Sequence, residues 1–401
     1  MRAMEGKENA KRLGKMHELD RYSIVVHSHL KWDWVWQRPQ QFLSRLSRKH
    51  RVLFIEAPDA HDDVHVTHVD LREVSDFPNI NVFQIKIPAN RRSDSAWIDK
   101  ERRRVVQSLL SGPLGQSFTS IVQWFYDPMA VTGFAGQLNE QLIVYDCMDE
   151  LSLFRGAPPE LVRRERELLA VADVVFAGGP KISQAKRELN ANCFCYGCGV
   201  DAGHFGEACN TDLHVPHDLA DLPRPIFGYI GVVDERIDYE LLERLADSTK
   251  GSVVMIGPST KVDPASFPRR ENLYWLGGRD YSDLPGYAKG FGVCIMPFAM
   301  NEATRFINPT KSLEYMATGR PIVSTPVEDV VAQFSDVIVI AEDARAFTSA
   351  CERAAMQPDS QRIKRGLELA QRNSWESIVA RLEQHIEEAL RSRRALNVSA
   401  A

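Results

Sequence analysis

The sequence predicts an α/β protein made of two doubly wound, parallel-sheet domains in tandem. Three observations carry this. Short apolar runs alternate with amphipathic stretches along most of the chain, as buried strands alternate with helices that cover both faces of a parallel sheet. The rhythm pauses once, over residues 201–225, and then restarts. The length of 401 residues is too great for one ordinary core and suits two domains of roughly 150–200 residues each.

Residues 1–20 are charged and lack an apolar signal core, so they predict a mobile extension and a cytoplasmic protein. The first domain spans residues 21–200. "YSIVVHSH", "RVLFIEAP", "NINVFQIKIP", "SIVQWFYDP", "LIVYDCMD" and "DVVFAGG" read as its strands. "RPQQFLSRLSRK" and segments near 97–111, 129–139, 158–172 and 180–190 read as its helices. Residues 201–225 carry three prolines and little apolar periodicity, which predicts a linker. The second domain, 226–375, supplies "PIFGYIGVV", "SVVMIGP", "NLYWLGG", "FGVCIMPF", "PIVSTP" and "DVIVIA". Residues 376–401 form a final helix with Ile378, Leu382, Ile386 and Leu390 on one face, and such a helix can cross back to the first domain.

The net charge of −5 argues against a dedicated nucleic-acid binder. No apolar run reaches the roughly 18–20 residues of a membrane helix. In "WIDKERRRVVQSLL", Arg102, Arg103 and Arg104 beside valines and leucines leave two readings, a solvated basic face or peripheral membrane contact. Cys193, Cys195 and Cys198 cluster without a CxxC pair or a fourth ligand, so buried reduced thiols are expected rather than zinc.

In an open α/β sheet, ligands bind beyond the carboxyl ends of strands. The segment "NEATRFINPTKSLEYMATGRPIVSTP" places Asn308 as N-cap, Pro309 and Thr310 in the first turn, and Gly319 at the end of a helix. Free N–H groups and Lys311 at the helix start suit a diphosphate. Glu314, one turn on, suits a ribose diol; a capped surface helix with a Lys–Glu pair is the plainer reading. Gly228 and Gly231 bracket the first strand-to-helix turn of the second domain, where glycine lets a backbone approach phosphates. Arg279 and Tyr281, after a later strand, are candidates for nucleobase contacts or a plain exposed loop.

The first-domain loop "HSHLKWDWVWQRPQQ" has no GxGxxG, which disfavours a dinucleotide cofactor. Trp32, Trp34 and Trp36 alternate with polar residues and could stack on sugar rings or plug the domain as an aromatic loop. Arg38 at the next helix start could hold a phosphate or carboxylate. His27 and His29 leave the first strand and are candidates for acceptor binding or for the base, with a packed loop histidine as the plainer reading of each. "VYDCMDEL" sets Asp146, Asp149 and Glu150 at a strand end, as catalytic acids or as the cap of a following helix.

"NPTKSLEYMATGRPIVST" resembles the nucleotide-sugar segment of family-4-like GT-B glycosyltransferases. "WDWVWQRPQQFLSRLS", "YDCMDEL", "FGYIGVVDERIDYELL" and "SWESIVARLE" resemble glycosyltransferases of teichuronic acid biosynthesis, over roughly residues 22–390. The resemblance implies a GT-B fold, two Rossmann-like domains facing across a cleft. It implies a nucleotide-sugar donor, a UDP-sugar ahead of a GDP-sugar, and a glycan or lipid-linked acceptor in cell-surface polysaccharide or glycolipid synthesis. Arg236 then helps bind the diphosphate. The family's first glutamate has no counterpart, since Phe306 stands there, and Glu314 matches the second. A further resemblance, to inverting bacterial β-glucuronosyltransferases, places the base at Asp149, with Asp146 supporting it. No metal or other cofactor is expected, and the nucleotide sugar is a substrate. A non-catalytic GT-B partner of a glycan synthase is the alternative.

Overall fold

A computed structural model describes residues 22–33, 36–153, 157–260, 262–301, 304 and 310–400. The chain divides into two compact units, Met1–Gly197 with Val379–Ala401, and Cys198–Ile378.

The sheet of unit 1 contains β1 (Ser23–Ser28), β2 (Val52–Glu56), β3 (Asp59–His61), β4 (His68–Val74) and β5 (Phe77–Pro88), then β6 (Ile121–Phe125), β7 (Leu142–Cys147), β8 (Val174–Ala177) and β9 (Cys193–Cys195). Their order is β3-β5-β2-β1-β6-β7-β8-β9, with β4 antiparallel to β5 and the other pairs parallel. Strands β1, β2 and β7 are buried along their whole length, as parallel strands covered on both faces must be. Strand β1 pairs with β2 on one side and β6 on the other, so the order reverses there. Helices α1 (Arg38–Leu46), α2 (Ser95–Leu110), α3 (Val131–Phe134), α4 (Leu161–Val171) and α5 (Pro180–Arg187) connect the strands.

Helix α2 does not present three arginines to one side. Arg102 is buried with Val105 and Val106, and its guanidinium lies 3.5 Å from Asp127. Arg104 pairs with Glu101 at 2.7 Å, and Arg103 donates to Gln137. Cys193 is buried while Cys195 is exposed, and no disulfide joins the described cysteines. Among the described residues no three His, Cys, Asp or Glu side chains gather as metal ligands do.

Unit 2 opens with α6 (Ala202–Gly206) and α7 (His217–Ala220). The stretch read as a linker is thus part of this unit: Phe205, Ala208 and Leu219 belong to its core. The segment needs few apolar residues because Lys289 Nζ donates to the carbonyls of Asn210, Thr211 and Leu213. The sheet follows, with β10 (Ile226–Ile230), β11 (Ser252–Ile256), β12 (Leu273–Gly277), β13 (Val293–Met296), β14 (Ile322–Ser324) and β15 (Val339–Ile340). The order is β12-β11-β10-β13-β14-β15, all parallel, with the reversal between β10 and β13. Helices α8 (Tyr239–Ser248), α9 (Leu284–Gly290), α10 (Thr310–Ala317), α11 (Glu328–Phe334), α12 (Ala344–Met356) and α13 (Ser360–Arg372) complete it.

The last helix, α14 (Trp375–Ala400), begins in unit 2 and from Val379 onward belongs to unit 1. Ile378, Leu382, Ile386 and Leu390 are buried, together with Trp375, Val379 and Glu383. Glu383 accepts from Lys49 Nζ at 2.8 Å and lies 3.1 Å from His50 Nε2. His385 stacks on Phe194 at 3.7 Å and bonds the Tyr196 hydroxyl at 2.8 Å. Arg393 pairs with Asp173.

Candidate functional site

In unit 1 the chemistry gathers where β1, β6 and β7 end. His29 Nδ1 lies 3.1 Å from the Tyr126 carbonyl, joining the ends of β1 and β6 across the reversal point. Arg38 enters from the first turn of α1, whose start is closed by the Gln37 N–H donating to Gln40 Oε1 at 3.1 Å. The Arg38 Nε donates to Asp146 Oδ1 at 2.9 Å, and Nη1 donates to the carbonyls of Tyr196 and Gly197.

The three acids of "YDCMDE" have three different surroundings. Asp146 is wholly buried. Burial raises its carboxyl above the ordinary range, and Arg38 pulls against that rise. Glu150 accepts from Lys186 Nζ at 2.8 Å, and Lys186 also bonds Glu165 at 2.8 Å. Burial alone would lower the Lys186 ammonium, but its two carboxylate bonds outweigh it and raise it. Asp149, between them, is exposed and makes no side-chain hydrogen bond with a described residue. Partial desolvation by its surroundings raises its carboxyl, while His29 and Arg38 draw it back down. The exposed surface and the raised carboxyl are compatible, since one side of the group faces protein and the other water.

The backbone carrying Asp149 is fixed. Gly178 N–H donates to the Cys147 carbonyl at 2.8 Å, and a Cβ at Gly178 would overlap the Met148 carbonyl. Lys186 holds the far side through Glu150. The sequence reading missed Lys186 and Glu165; a lysine aligned with apolar positions of a short helix was the available signal.

Other first-domain candidates are placed differently. Trp32 is buried edge-on to Phe54 at 5.3 Å, and its backbone N–H donates to Glu56 Oε1. Packing, rather than an open stacking surface, accounts for it. Trp36 keeps 49% of its surface exposed. Trp34 lies outside the described residues. His27 is buried against Phe125 and Phe134, with Nε2 2.8 Å from Gln123 Oε1. Burial, with the nearby Arg102 cation, lowers its pKa to about 3, so it stays neutral.

In unit 2 the candidates converge beyond the carboxyl end of β10, at the order reversal. Gly231 has φ 153°, and a Cβ there would overlap Lys311 Cε and Nζ. The lysine side chain therefore lies directly on the glycine backbone, with its ammonium 5.7 Å from the Tyr229 ring centre. Tyr315 fixes the helix that brings it. Its hydroxyl accepts from Ile230 N–H at 2.8 Å and donates to the Ile230 carbonyl at 3.2 Å. Thr310 begins α10, and Lys311 and Glu314 are half-buried. Neither Lys311 nor Glu314 has an ion-pair partner among the described residues. Asn308 lies outside them.

A cleft of about 550 Å³ adjoins this group, lined by Val233, Gly257, Pro258, Phe267 and Trp275 among others. Gly257 joins the two places: its φ is 147°, and a Cβ would overlap the Gly231 carbonyl oxygen. Phe267 and Trp275 lie 4.4 Å apart, and the indole N–H donates to the Pro268 carbonyl. These cleft residues were missed; a Gly-Pro pair directly after "SVVMI" was the signal.

Arg236 is held by the buried Asp234 through Nε at 2.8 Å and Nη2 at 2.5 Å. Arg279 bonds Asp218 at 2.8 Å and the Tyr287 hydroxyl at 2.7 Å, and Tyr281 stacks on His204 at 4.1 Å. These partners of Arg279 and Tyr281 belong to the segment 204–218 and to α9, and none is a member of the Lys311 group.

Residues 224–357 match the protein-family model described as glycosyl transferases group 1. Over 93% of its length the chain superposes on sucrose-phosphate synthase from Thermosynechococcus elongatus, covering 100% of that chain at TM-score 0.58 and 17% identity. The chain has the GT-B glycosyltransferase fold. The HepE protein of Anabaena, solved in complex with UDP, shares this fold, with TM-score 0.58 and 12% identity over 93% of this chain and 100% of that one. In sequence, 104 residues are 26% identical to the teichuronic acid biosynthesis glycosyltransferase TuaH of Bacillus subtilis (strain 168). That match spans about a quarter of each protein, 25% of this GT-B chain and 26% of TuaH.

Proposed function

We propose that this chain transfers a sugar from a nucleoside diphosphate sugar, a UDP-sugar ahead of a GDP-sugar, to a hydroxyl of a glycan or lipid-linked acceptor. The observation that carries the reading is the Lys311 ammonium lying on Gly231, one helical turn from Glu314, beside an aromatic-walled cleft. The helix start and Lys311 meet the diphosphate, Glu314 the ribose hydroxyls, and the cleft the base. The complex of the Anabaena neighbour with UDP supports a uridine nucleotide, and the TuaH match supports a cell-surface polysaccharide.

Asp149 is the proposed base. It takes the proton of the acceptor hydroxyl as that oxygen bonds the anomeric carbon, and the bond from that carbon to the diphosphate breaks. The bonding electrons leave with the nucleotide, where Lys311 and the helix start stabilise the new charge. The product has inverted anomeric configuration. Asp146 supports by holding Arg38. Membrane docking through α2 is not part of the proposal, because Arg102 faces the interior.

Calorimetric titration with UDP and GDP tests the donor half. Saturable UDP binding, tighter than GDP and at least tenfold weaker in Lys311→Ala, is expected; the loss of a charge-assisted contact predicts about that factor. Absence of binding to either nucleotide would remove the donor site. The anomeric configuration of the product then decides the role of a base, and retention would remove Asp149 from it.

A further inference from the structure

Unit 2 has a second recess that sugar transfer does not use. It opens at the amino-terminal starts of β14 and β15, whereas the Lys311 group lies beyond the carboxyl ends of strands. Its volume is about 250 Å³, just below the roughly 300–1,000 Å³ of small-molecule pockets. The floor is apolar, formed by Met316, Ile322, Val337, Val339, Ala350 and Ile363. Close packing shapes it: a Cβ at Gly366 would stand 3.1 Å from Val337 Cγ1 and 3.3 Å from Met316 Cγ, so α13 lies close against α10 at this glycine.

Around this floor stand three arginines, Arg320, Arg353 and Arg362, against one acid, Asp359. The acid is already engaged. It caps α13 by accepting from Gln361 N–H and Arg362 N–H, and it lies 3.7 Å from Arg362 Nε. Arg362 also donates to the carbonyls of Ser335 and Ile338. Arg320 and Arg353 have no carboxylate partner among the described residues, and Arg320 Nε is buried without a hydrogen-bond acceptor. A buried guanidinium N–H left unmatched keeps its full desolvation cost until an acceptor arrives. Apolar walls alone would suit a neutral ligand and exposed arginines alone a bare anion; here both are present.

We infer that this recess binds a small anion with an apolar body, in which a carboxylate or phosphate monoester head meets Arg320 and Arg353 and an aryl or short alkyl group fills the floor. The site is separate from the donor site and does not depend on its assignment.

Phenyl phosphate is the test probe, with inorganic phosphate and benzyl alcohol as its two halves, each titrated calorimetrically into the full chain. Phenyl phosphate is expected to bind at least tenfold more tightly than either half. Binding persists in Lys311→Ala and falls at least tenfold in Arg320→Met. It also falls in Ala354→Trp, which fills the recess and keeps every arginine. If the tryptophan variant does not fold, Arg353→Met at the exposed rim gives the same readout. Equal affinity for inorganic phosphate overturns the inference. So does binding that is lost in Lys311→Ala but kept in Arg320→Met, or no saturable binding of phenyl phosphate.

Discussion

At the scale of single residues, three neighbouring acids differ in exposure and charge partners because their surroundings differ. Of the three, Asp149 alone combines exposure with a raised carboxyl, the pairing that the proposed base requires. Asp149→Asn should lower kcat by about 10²–10⁴-fold, the usual contribution of a general base, with little change in donor KM. On the proposed mechanism, wild-type kcat should fall as pH drops through the raised Asp149 pKa, with the acidic limb above the ordinary carboxylate range; a pH–rate profile checks this. Asp146 serves Arg38. Arg38→Met leaves a buried carboxylate without its cation and should cost about 3–5 kcal/mol in urea unfolding. The sign with pH follows from the raised Asp146 carboxyl. Its protonated form is the comfortable one in the folded state, so the cost is least below the unfolded value near pH 3.9 and grows as pH rises.

Elements matter by what they hold in place. Helix α10 brings Lys311 to Gly231 only because Tyr315 clamps it to the end of β10. Gly231→Ala should displace the lysine and weaken UDP binding about tenfold or more, as losing a charge-assisted contact does, while the sheet stays folded. Circular dichroism beside calorimetry separates the two effects. Helix α14 docks through Glu383. Burial alone would raise that carboxyl, but His50 and Lys49 outweigh it and hold it below the ordinary range. Its contribution is therefore present above the unfolded value near pH 4.3 and lost as pH falls through the lower folded value. Glu383→Gln should cost about 1.5–3 kcal/mol at neutral pH, and the gap to wild type should close on acidification. The six strands of unit 2 were legible because each is a short apolar run ending in glycine, proline or a polar residue. Strands β3, β4 and β9 were not. Strand β4, "HVDLREV", is largely exposed and held mainly by its antiparallel pairing with β5, so no buried face marks it in the sequence.

Across the whole molecule, sequence carried the two-domain plan further than it carried the sites. Lys311, Gly231 and Glu314 come from one local motif and its strand partner, and the structure brings them together. Arg38 with Asp146 joins residues 108 apart in sequence, and no local pattern announces that partner. The segment 201–225 misled for a related reason: its apolar residues are few, but Phe205, Ala208 and Leu219 enter a core assembled from distant strands. The two units also have separate buried clusters, which yields the last prediction. A nucleotide that binds only unit 2 stabilises it by mass action, about 2.7 kcal/mol at a concentration of 100 Kd, and hydrogen exchange reports this locally. Saturating UDP should slow exchange of backbone amides in β10, β11 and α10, and leave those in β1, β6 and β7 unchanged. Equal slowing in both sheets would mean that the two cores open as one cooperative unit. Slowing confined to unit 1 would place the nucleotide on the wrong side of the fold.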